Sequence, residues 1–512
     1  MKILIVFPPF ANPTYIPYSL LDLRGYVKKR TGISVDFFDW NIALFRKHIQ
    51  EKAADLTNLD NYYRQTVDVI NKWFLLQKEL HSQVLAYLQN ENEIINPEIF
   101  EFIRETTIDS YDCVAFSLNF HQRDEYSQFY MTVAAAKAVK SLFPEKKVLL
   151  GGALLNHIEP RELLNTFPFL DIIFLKESEE SFSEFVSGHP LERIPNIFYR
   201  KQTVVRNPEK NNVLRDLVYL PDLSQLNMSR YFNPKPVITI QFKRGCPWQK
   251  CTFCSQNLSY FQYEKKKSAQ IFINKLECLN KQGVRFFYFS DQMISPADAK
   301  EICQLIEKQG LNIRWAIMAL PQKGFNKELL TKMKRAGCVW ITWGIESASR
   351  RILKTMNKPL KIEVARQNII ETYQTGMKNV LLMIYGFPGE TEDDLQQSLV
   401  FLQEQEPYYY DNSMSPFHLC KGSEIFNHPD NFKISIKEPL AIYEDKNGGI
   451  NSNIYFYTDN SGISIDYEKI LPEPRRTFPF AEHMLIYSGQ SDYCPKIIPN
   501  KSLRAKRGNL HV

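Results

Sequence analysis

The sequence lacks a long hydrophobic run and is poor in cysteine. No stretch of about 18 uncharged apolar residues occurs, so we expect no membrane-spanning helix. The first apolar run, residues 2–10, is interrupted by two prolines and has no small-residue cleavage site, which argues against secretion. Nine cysteines among 512 residues are too few for a disulfide scaffold. This composition predicts a cytoplasmic protein whose clustered cysteines hold a metal.

An excess of charge of one sign is also missing. Lys and Arg together number 63 and Asp and Glu 57, so a net charge of +6 is spread over the whole chain. No basic stripe interleaved with aromatic residues occurs, and we therefore expect no nucleic-acid partner. Hydrophobic residues make up 44% of the chain, which excludes a disordered protein. The length predicts two or three packed domains.

Apolar runs alternate with helical patterns through residues 1–200. This alternation predicts an α/β domain with a doubly wound parallel sheet, which binds ligands at the carboxyl ends of its strands. A polar stretch with helical periodicity, 42–108, is expected to be a helical insertion packed on the sheet, with no chemistry of its own. The predicted strands cover 2–7, 33–39, 111–117, 148–150 and 170–175.

Three of the nine cysteines, Cys246, Cys251 and Cys254, lie within nine residues, directly after a predicted strand. A structural zinc site would need a fourth ligand, and no second Cys-x2-Cys or histidine pair lies nearby. Three thiolates on one loop instead leave one iron of a four-iron cluster without a protein ligand. The spacing favours an iron–sulfur cluster, with structural zinc as the alternative.

Strand-and-helix units repeat around and after the cysteine loop. This order predicts a partial (β/α)6 barrel over 236–430, with its site at the carboxyl ends of the strands. The predicted strands begin near 237, 284, 313, 338, 378 and 407, and the predicted helices cover 268–282, 297–309, 326–336, 361–375 and 391–405.

The cysteine loop resembles that of the radical S-adenosylmethionine (radical SAM) superfamily. The common pattern is Cys-x3-Cys-x2-Cys with an aromatic residue before the last cysteine, here Phe253, whereas the first gap of this chain holds four residues. The resemblance implies a [4Fe-4S] cluster on the three cysteines. It also implies S-adenosylmethionine at the open iron, where it is cleaved to methionine and a 5′-deoxyadenosyl radical. The implied contacts to S-adenosylmethionine are Phe253, Asp291, Glu346, Ile384 and Gly386.

Each strand-end residue also has a plain interpretation when it is taken alone. Asp291 is then a helix cap, Glu346 a surface carboxylate and Gly386 a turn residue. All three follow predicted strands in register with the cysteine loop, which favours the functional interpretation.

The first 200 residues resemble the cobalamin-binding domain found upstream of many radical SAM enzymes. The resemblance implies that Ser117, Gly151 and Gly152 line the cobalamin tail, because glycine permits close backbone approach. Cobalamin proteins that ligate cobalt carry Asp-x-His-x-x-Gly after the second strand, but here Leu44 ends the segment Asp39-Trp40-Asn41-Ile42-Ala43-Leu44. No imidazole is supplied. The alternative is an ordinary glycine turn in a domain that keeps the fold without the cofactor.

Together these resemblances cover about residues 1–430 and imply a cobalamin-dependent radical SAM methyltransferase. It would act on an unactivated carbon of a natural product or peptide and take electrons from a donor such as flavodoxin or ferredoxin. One alternative is radical cyclisation, rearrangement or oxidation without methyl transfer. Another is a cobalamin-binding sensor with a structural metal site.

Two segments carry no motif. Residues 201–235 are polar and are expected to be a linker. Residues 431–512 are expected to form a C-terminal extension that either caps the barrel mouth or packs on the surface.

Overall fold

The structure is a computed structural model that describes residues 1–49, 59–89, 94–118, 127–210, 218–233, 235–255, 269–445 and 448–471. The chain divides into two compact units at the junction of Pro236 and Val237. The first unit also includes Leu440–Asn453 from a later hairpin, and the second contains Ile454 and the described residues that follow it.

A seven-stranded sheet forms the centre of the first unit. Its strands are β1 (Ile3–Phe7), β2 (Asp36–Asp39), β3 (Cys113–Ser117), β4 (Lys147–Gly151), β5 (Ile172–Phe174), β6 (Ile197–Arg200) and β7 (Val204–Arg206). They lie in the order β2-β1-β3-β4-β5-β6-β7, with β1 to β5 parallel and the last two antiparallel at one edge. The predicted doubly wound parallel sheet is confirmed, and its strand order reverses between β1 and β3.

Helices surround this sheet. They are α1 (Tyr18–Thr31), α2 (Trp40–His48), α3 (Leu59–Leu88), α4 (Pro97–Glu105), α5 (Ser127–Leu142), α6 (Pro160–Thr166) and α7 (Glu179–Val186). The stretch 42–108 supplies most of α2, all of α3 and all of α4. Trp73 of α3 is fully buried and its indole N–H donates to the carbonyl of Ala11, 3.1 Å away, so the long helix packs onto the unit through an apolar ring with a satisfied polar tip.

The described residues of the segment predicted as a linker, 201–210, 218–233 and 235, fall within the first unit. The segment contains β7, and its later part binds the start of the domain through side chains. The buried Arg24 of α1 donates to the carbonyl of Asp222 at 3.0 Å, and Gln225 accepts from the backbone N–H of Phe37 at 2.7 Å. Some of its polar groups therefore form hydrogen bonds within the domain. Composition alone does not distinguish such groups from polar groups that are exposed to solvent.

A second, six-stranded parallel sheet forms the second unit. Its strands are β8 (Val237–Ile240), β9 (Phe286–Phe289), β10 (Arg314–Ala319), β11 (Cys338–Glu346), β12 (Lys378–Tyr385) and β13 (Asp411–Pro416), which lie in sequence order from β8 to β13. The helices between them are α8 (Ala269–Lys281), α9 (Pro296–Lys308), α10 (Lys327–Arg335), α11 (Arg350–Thr355), α12 (Ile362–Gln374) and α13 (Glu392–Gln405). Since β8 and β13 are not neighbours, the barrel is partial, as predicted.

Tryptophans fill the core of the second sheet. Trp315, Trp340 and Trp343 are fully buried. Each indole N–H still finds an acceptor, for example the amide oxygen of Asn379 at 2.7 Å from the Trp343 nitrogen. Burying so large a ring stabilises the sheet only when its one polar group is paired, and here it is.

The described chain ends in a small antiparallel sheet and a short helix. Its elements are β14 (Leu419–Cys420), α14 (Glu424–Asn427), β15 (Ile434–Asp445), β16 (Gly448–Asp459) and α15 (Tyr467–Ile470), with β16 between the other two strands. The rest of the predicted C-terminal extension, 472–512, lies outside the described residues. No helix in the described part of the chain is long and apolar enough to cross a membrane.

Candidate active site

The cysteine loop leaves the carboxyl end of β8 and turns through two residues of positive φ. Gly245 has φ 77° and Gln249 has φ 53°. Cys246, Cys251 and Cys254 are reduced thiols, each half-buried. These turns carry the three thiols along one short loop at the edge where a parallel α/β sheet places its chemistry.

Asp291 fixes the start of this loop. It follows β9, and its two carboxylate oxygens accept the backbone N–H groups of Phe242 and Lys243 at 2.9 and 2.7 Å. The side chain is 1% exposed, and burial raises its pKa to about 7 against the opposing effect of these two hydrogen bonds. The predicted contact of Asp291 with S-adenosylmethionine stays a prediction, and the structure gives this carboxylate a second role. Asp291 is a positioning residue for the loop.

The far side of the loop is anchored to α11 and α14. The backbone N–H of Thr252 donates to the carbonyl of Met356 at 2.9 Å, and the carbonyl of Thr252 accepts from Ile425 at 3.0 Å. The indole N–H of Trp248 donates to the carbonyl of Asn357 at 2.8 Å. The loop is thus held on both sides of its second cysteine by hydrogen bonds to the main-chain carbonyls of Asn357 and Met356.

The three thiols lie within electrostatic reach of one another. Burial raises the pKa of the Cys251 thiol to about 12, against the opposing charge of Lys358. The Cys254 and Cys246 thiols raise that pKa further, as does the carboxylate of Glu346. A bound metal would reverse this shift, because a coordinating thiol is deprotonated outright.

The thiols are not arranged for a single ion. Across the described ranges, no three His, Cys, Asp or Glu side chains gather closely enough to hold one metal ion. In a four-iron cluster each thiolate binds a different iron, so the sulfurs surround the group and do not converge on one point. Three cysteine thiols on one loop are the donor set of such a cluster, with one iron left without a protein ligand.

Glu346 ends β11 beside the cysteine loop. It has a positive φ of 67° and lies at a register shift between Gly344 and Glu346, which turns its side chain out of the strand. The Lys358 ammonium pairs with the Glu346 carboxylate at 2.8 Å. The side chain of Glu346 is 13% exposed and that of Lys358 is 8% exposed. Both groups affect the pKa of the Cys251 thiol, so the structure brings the predicted carboxylate and the cysteine loop together. It also places Lys358 beside them, a residue to which the sequence assigned no role.

The turn after β12 is held by side chains. Gly386, at φ 75°, donates its N–H to the carboxylate of Glu390 at 2.8 Å, and its carbonyl accepts the hydroxyl of Tyr457 at 3.1 Å. The hydroxyl of Tyr467 donates to the same Glu390 oxygen at 3.3 Å, and the N–H of Gly389 donates to Asp459 at 2.8 Å. Both polar groups of Gly386 are therefore already used within the protein.

Glu390 lies at the centre of this turn. It is 2% exposed, and its second carboxyl oxygen has no hydrogen-bond partner among the described residues. Burial raises its pKa to about 7, opposed by the hydrogen bonds from Gly386 and Tyr467. Its position directly after the Gly-Phe-Pro-Gly turn is a local sequence signal that could have identified it as a site residue. Tyr457 and Tyr467 lie some 70 residues further along the chain, where no local pattern indicates them.

Phe253 and Ile384 pack against one hydrophobic cluster, so the apolar residues predicted from the cysteine loop and from β12 share one wall. The buried members of this cluster are Ile352, Met356, Phe387, Phe417, Leu419, Ile425 and Ile434.

A fourth thiol lies near the loop. Burial raises the pKa of Cys420 on β14, while a hydrogen bond with Ser255 lowers it and the Cys254 thiol raises it. This thiol lies outside the Cys-x4-Cys-x2-Cys spacing, which is why a motif search does not find it.

In the first unit, Ser117 and Gly151 are register partners at the carboxyl ends of β3 and β4. A side chain built at Gly151 would meet only Phe174, at 3.9 Å, so this edge has space. Gly152 differs, because a Cβ there would lie 2.2 Å from the carbonyl oxygen of Leu118. The second glycine thus serves the close packing of two loops, while the first leaves room for a ligand. The loop after β3, 119–126, lies outside the described residues.

Asp39 occupies the position where a histidine-containing motif would begin. It is the N-cap of α2, accepting from Ile42 at 2.8 Å, and it also accepts the hydroxyl of Tyr231. Burial raises its pKa to about 6, against these hydrogen bonds. The segment is used for helix capping and, as the sequence indicates, supplies no imidazole.

The comparison with known proteins agrees with this geometry. Residues 240–402 match the model of the Radical SAM superfamily. The chain is 26% identical over 293 residues to an uncharacterized methyltransferase of Pyrococcus horikoshii, a match to 55% of this chain and 63% of that protein. It is 24% identical over 355 residues to the anaerobic magnesium-protoporphyrin IX monomethyl ester cyclase of Cereibacter sphaeroides. This match covers 64% of this chain and 58% of that protein. The chain thus spans about three-fifths of the length of these curated relatives.

Among solved structures, the fold is similar to that of the radical S-adenosylmethionine methyltransferase TsrM from Kitasatospora setae, solved with cobalamin and a [4Fe-4S] cluster bound. The TM-score is 0.61 at 15% sequence identity, covering 85% of this chain and 81% of that chain. The resemblance found in the sequence is confirmed. Residues 240–402 are thus similar to the Radical SAM superfamily, and the fold of the chain is similar to that of TsrM.

Proposed function

We propose that this protein is a radical SAM enzyme that uses cobalamin to methylate an unactivated carbon of a natural product or peptide. The observation that carries the proposal is the three-thiol loop at the carboxyl end of β8, with the Glu346–Lys358 pair beside it. The similarity of the fold to that of TsrM, a radical S-adenosylmethionine methyltransferase, supports the methyl-transfer chemistry.

Cys246, Cys251 and Cys254 would hold the cluster, and Asp291 would hold their loop. When bound, the cluster supplies the electron that cleaves S-adenosylmethionine. Asp291 contributes by fixing two backbone N–H groups at the base of the loop, so that the thiols are presented from a rigid strand end.

Glu346 would contact the ribose or methionyl end of S-adenosylmethionine, since it ends β11 and its carboxylate affects the pKa of the Cys251 thiol. Phe253 and Ile384 would supply an apolar wall for the adenine ring. The Gly386 turn would contact the ring by van der Waals packing alone, because its N–H and carbonyl are taken by Glu390 and Tyr457.

Ser117 and Gly151 would line the cobalamin site in the first unit, where small side chains leave space at the carboxyl ends of two neighbouring strands. Cobalamin, when bound, supplies the methyl group. Gly152 would act indirectly, by allowing the loops after β3 and β4 to pack closely.

A ring-forming radical reaction is the second candidate, because one relative is named as a cyclase. Hydrogen abstraction begins both reactions, so the two are separated by whether cobalamin is bound and by the product.

The test uses protein purified without oxygen, reconstituted with iron and sulfide, mixed with hydroxocobalamin and desalted. Wild type is expected to retain about four irons and to form 5′-deoxyadenosine with titanium(III) citrate. Its spectrum should also show corrinoid bands. Cys251→Ala should lose iron and 5′-deoxyadenosine but keep the corrinoid, since the proposed cobalamin residues belong to the other unit. Cys278→Ala, a half-buried thiol on α8, is the matched control and should keep all three signals.

Full turnover by Cys251→Ala would overturn the cluster assignment. Corrinoid that elutes free of wild-type protein would overturn the cobalamin assignment and direct the substrate search to cyclisation, rearrangement or oxidation. Wild type that binds the corrinoid but never cleaves S-adenosylmethionine would favour a sensor.

A further inference from the structure

Trp248, which lies between Cys246 and Cys251, forms one wall of an open groove on the second unit. The opposite wall comes from α11 and the segment that follows it. The residues that matter here are Trp248, Arg350, Lys354, Asn357 and Lys358, and we call this surface the Trp248 groove.

One wall of the groove comes from the longer first gap of the cysteine motif. Four residues stand between the first two cysteines, and one of them, Gln249, has a positive φ of 53°. Trp248 is pinned by its hydrogen bond to the carbonyl of Asn357 at 2.8 Å, and the Lys250 ammonium lies 5.5 Å from its ring centroid. The loop therefore presents a fixed aromatic ring with a cation over it.

The surface carries an excess of positive charge. Arg350 pairs with Glu363 and Lys358 pairs with Glu346, which balances those two cations. Lys250 and Lys354 are exposed, and neither forms an ion pair within the part of the chain that the structure describes. Two uncompensated cations thus flank a half-exposed tryptophan.

The groove is continuous with the thiols. Trp248, which lines the groove, and Lys250 both lie between Cys246 and Cys251 in the cysteine loop itself. An electron donor seated in this groove would therefore contact the same loop that presents the thiols.

We propose that the Trp248 groove is the docking site for a small acidic one-electron carrier protein. The inference rests on the proposed function, because cleaving S-adenosylmethionine consumes one electron from outside the protein. In the transfer step the reduced flavin or iron–sulfur centre of the carrier loses one electron, the cluster of this protein gains it, and no covalent bond forms or breaks. Charge complementarity selects an acidic partner, and the small area of basic charge fits a transient complex better than a nucleic acid, which needs a longer basic stripe.

The experiment measures the affinity of an acidic flavodoxin for the full-length, cluster-loaded protein at several salt concentrations. The test variant is the double substitution Lys250→Glu and Lys354→Glu. The matched control is Lys308→Glu with Lys327→Glu, which changes the net charge equally at two exposed lysines of α9 and α10. We expect the test variant to bind at least about tenfold more weakly with a flatter salt dependence, and the control to change by less than about threefold.

Chemical reduction separates the two proposals. The test variant should keep the wild-type iron content and form 5′-deoxyadenosine normally with titanium(III) citrate, but slowly with reduced flavodoxin. Equal loss of flavodoxin binding in both double variants, or no binding by wild type, would overturn the docking site. Binding of a single-stranded oligonucleotide to the groove in place of flavodoxin would also overturn it. If wild type fails to cleave S-adenosylmethionine with the chemical reductant, the proposed function fails, and the binding measurement still decides the docking site.

Discussion

Two glycine turns lie at the carboxyl ends of parallel strands, one in each unit, and they are held in different ways. After β4, Gly152 packs against the main chain of Leu118, with no room for a Cβ. After β12, Gly386 is held by Glu390 and Tyr457 through hydrogen bonds to its two backbone groups. The first turn depends on neighbouring backbone and the second on side chains.

This difference predicts different responses to substitution. A main-chain contact between adjacent loops requires glycine at one position. Substituting that glycine therefore removes the whole contact at once. A turn held by several side chains weakens in steps, since each hydrogen bond contributes about 1 kcal/mol. Substitutions of these residues are also expected to change the affinity for a bound ligand without unfolding the domain.

The largest effect is expected from Gly152→Ala. The new Cβ would lie 2.2 Å from the Leu118 oxygen, and the residue has φ 107° and ψ 167°, a region that only glycine adopts easily. We expect a loss of about 3 kcal/mol or more in the unfolding free energy of the first unit, measured by chemical denaturation. Corrinoid retention should fall with it.

Gly151→Ala is the matched control for this substitution. Its nearest neighbour would be Phe174 at 3.9 Å, so a loss below about 1 kcal/mol is expected. Equal unfolding free energies for the two variants would show that the Leu118 contact does not set the turn.

Glu390→Gln should have an intermediate effect that depends on pH. Burial raises the pKa of Glu390 from 4.5 to about 7, with Asp394 acting in the same direction and Arg351 against it. Between these values the folded carboxyl keeps a proton that the unfolded chain has released, so wild-type stability falls as pH rises through this window. The glutamine variant does not titrate. The free energy of unfolding of the variant relative to wild type should therefore rise by on the order of 3 kcal/mol between about pH 4.5 and about pH 7, measured by thermal unfolding.

Glu392→Gln tests whether this gain is specific to the turn. It makes the same chemical change two residues later on an exposed side chain of α13. A pH dependence that is the same for both variants would mean that Glu390 does not titrate as its burial requires.

The smallest effect is expected from Tyr457→Phe. It removes one hydrogen bond, of 3.1 Å, to the Gly386 carbonyl and keeps the ring that packs on Phe417. We expect a loss of about 1 kcal/mol in stability and a weakening of S-adenosylmethionine binding by up to about fivefold, measured by equilibrium binding.

Tyr455→Phe, on the same strand, is the control. Its ring packs on Phe426, and its hydroxyl has no hydrogen-bond partner among the described residues. It should leave both quantities unchanged. If the two variants behave alike, the hydroxyl of Tyr457 does not position the turn.

Local pattern predicted most of the strand order but not where the strands end. The strand predicted to begin near 237 ends at Ile240, and the amides of the apolar Phe242 and of Lys243 bond to Asp291 and not to a neighbouring strand. The last barrel strand, expected from 407, begins at Asp411, since Glu406–Tyr408 form a helical turn. Strand ends depend on tertiary partners that a hydrophobic run does not encode.

The antiparallel elements were not predicted. β6 and β7 are only four and three residues long, so each gives a short hydrophobic run, and the β15–β16 hairpin is partly exposed. The hairpin nevertheless supplies Tyr457 and Asp459 to the candidate site.

The sequence alone determined the chemistry that this protein can support. Three thiols within nine residues, the repeat of strands and helices, and the absence of an imidazole after Asp39 are properties of neighbouring residues, and they specify ligands and fold class without a structure. Only the tertiary structure decided what each strand-end residue does. It assigned Asp291 to the base of the loop, separated the roles of Gly151 and Gly152, and brought Tyr457 to Gly386. The physical reason is that hydrogen bonds and steric contacts depend on distance in space, which packing sets among residues far apart in the chain.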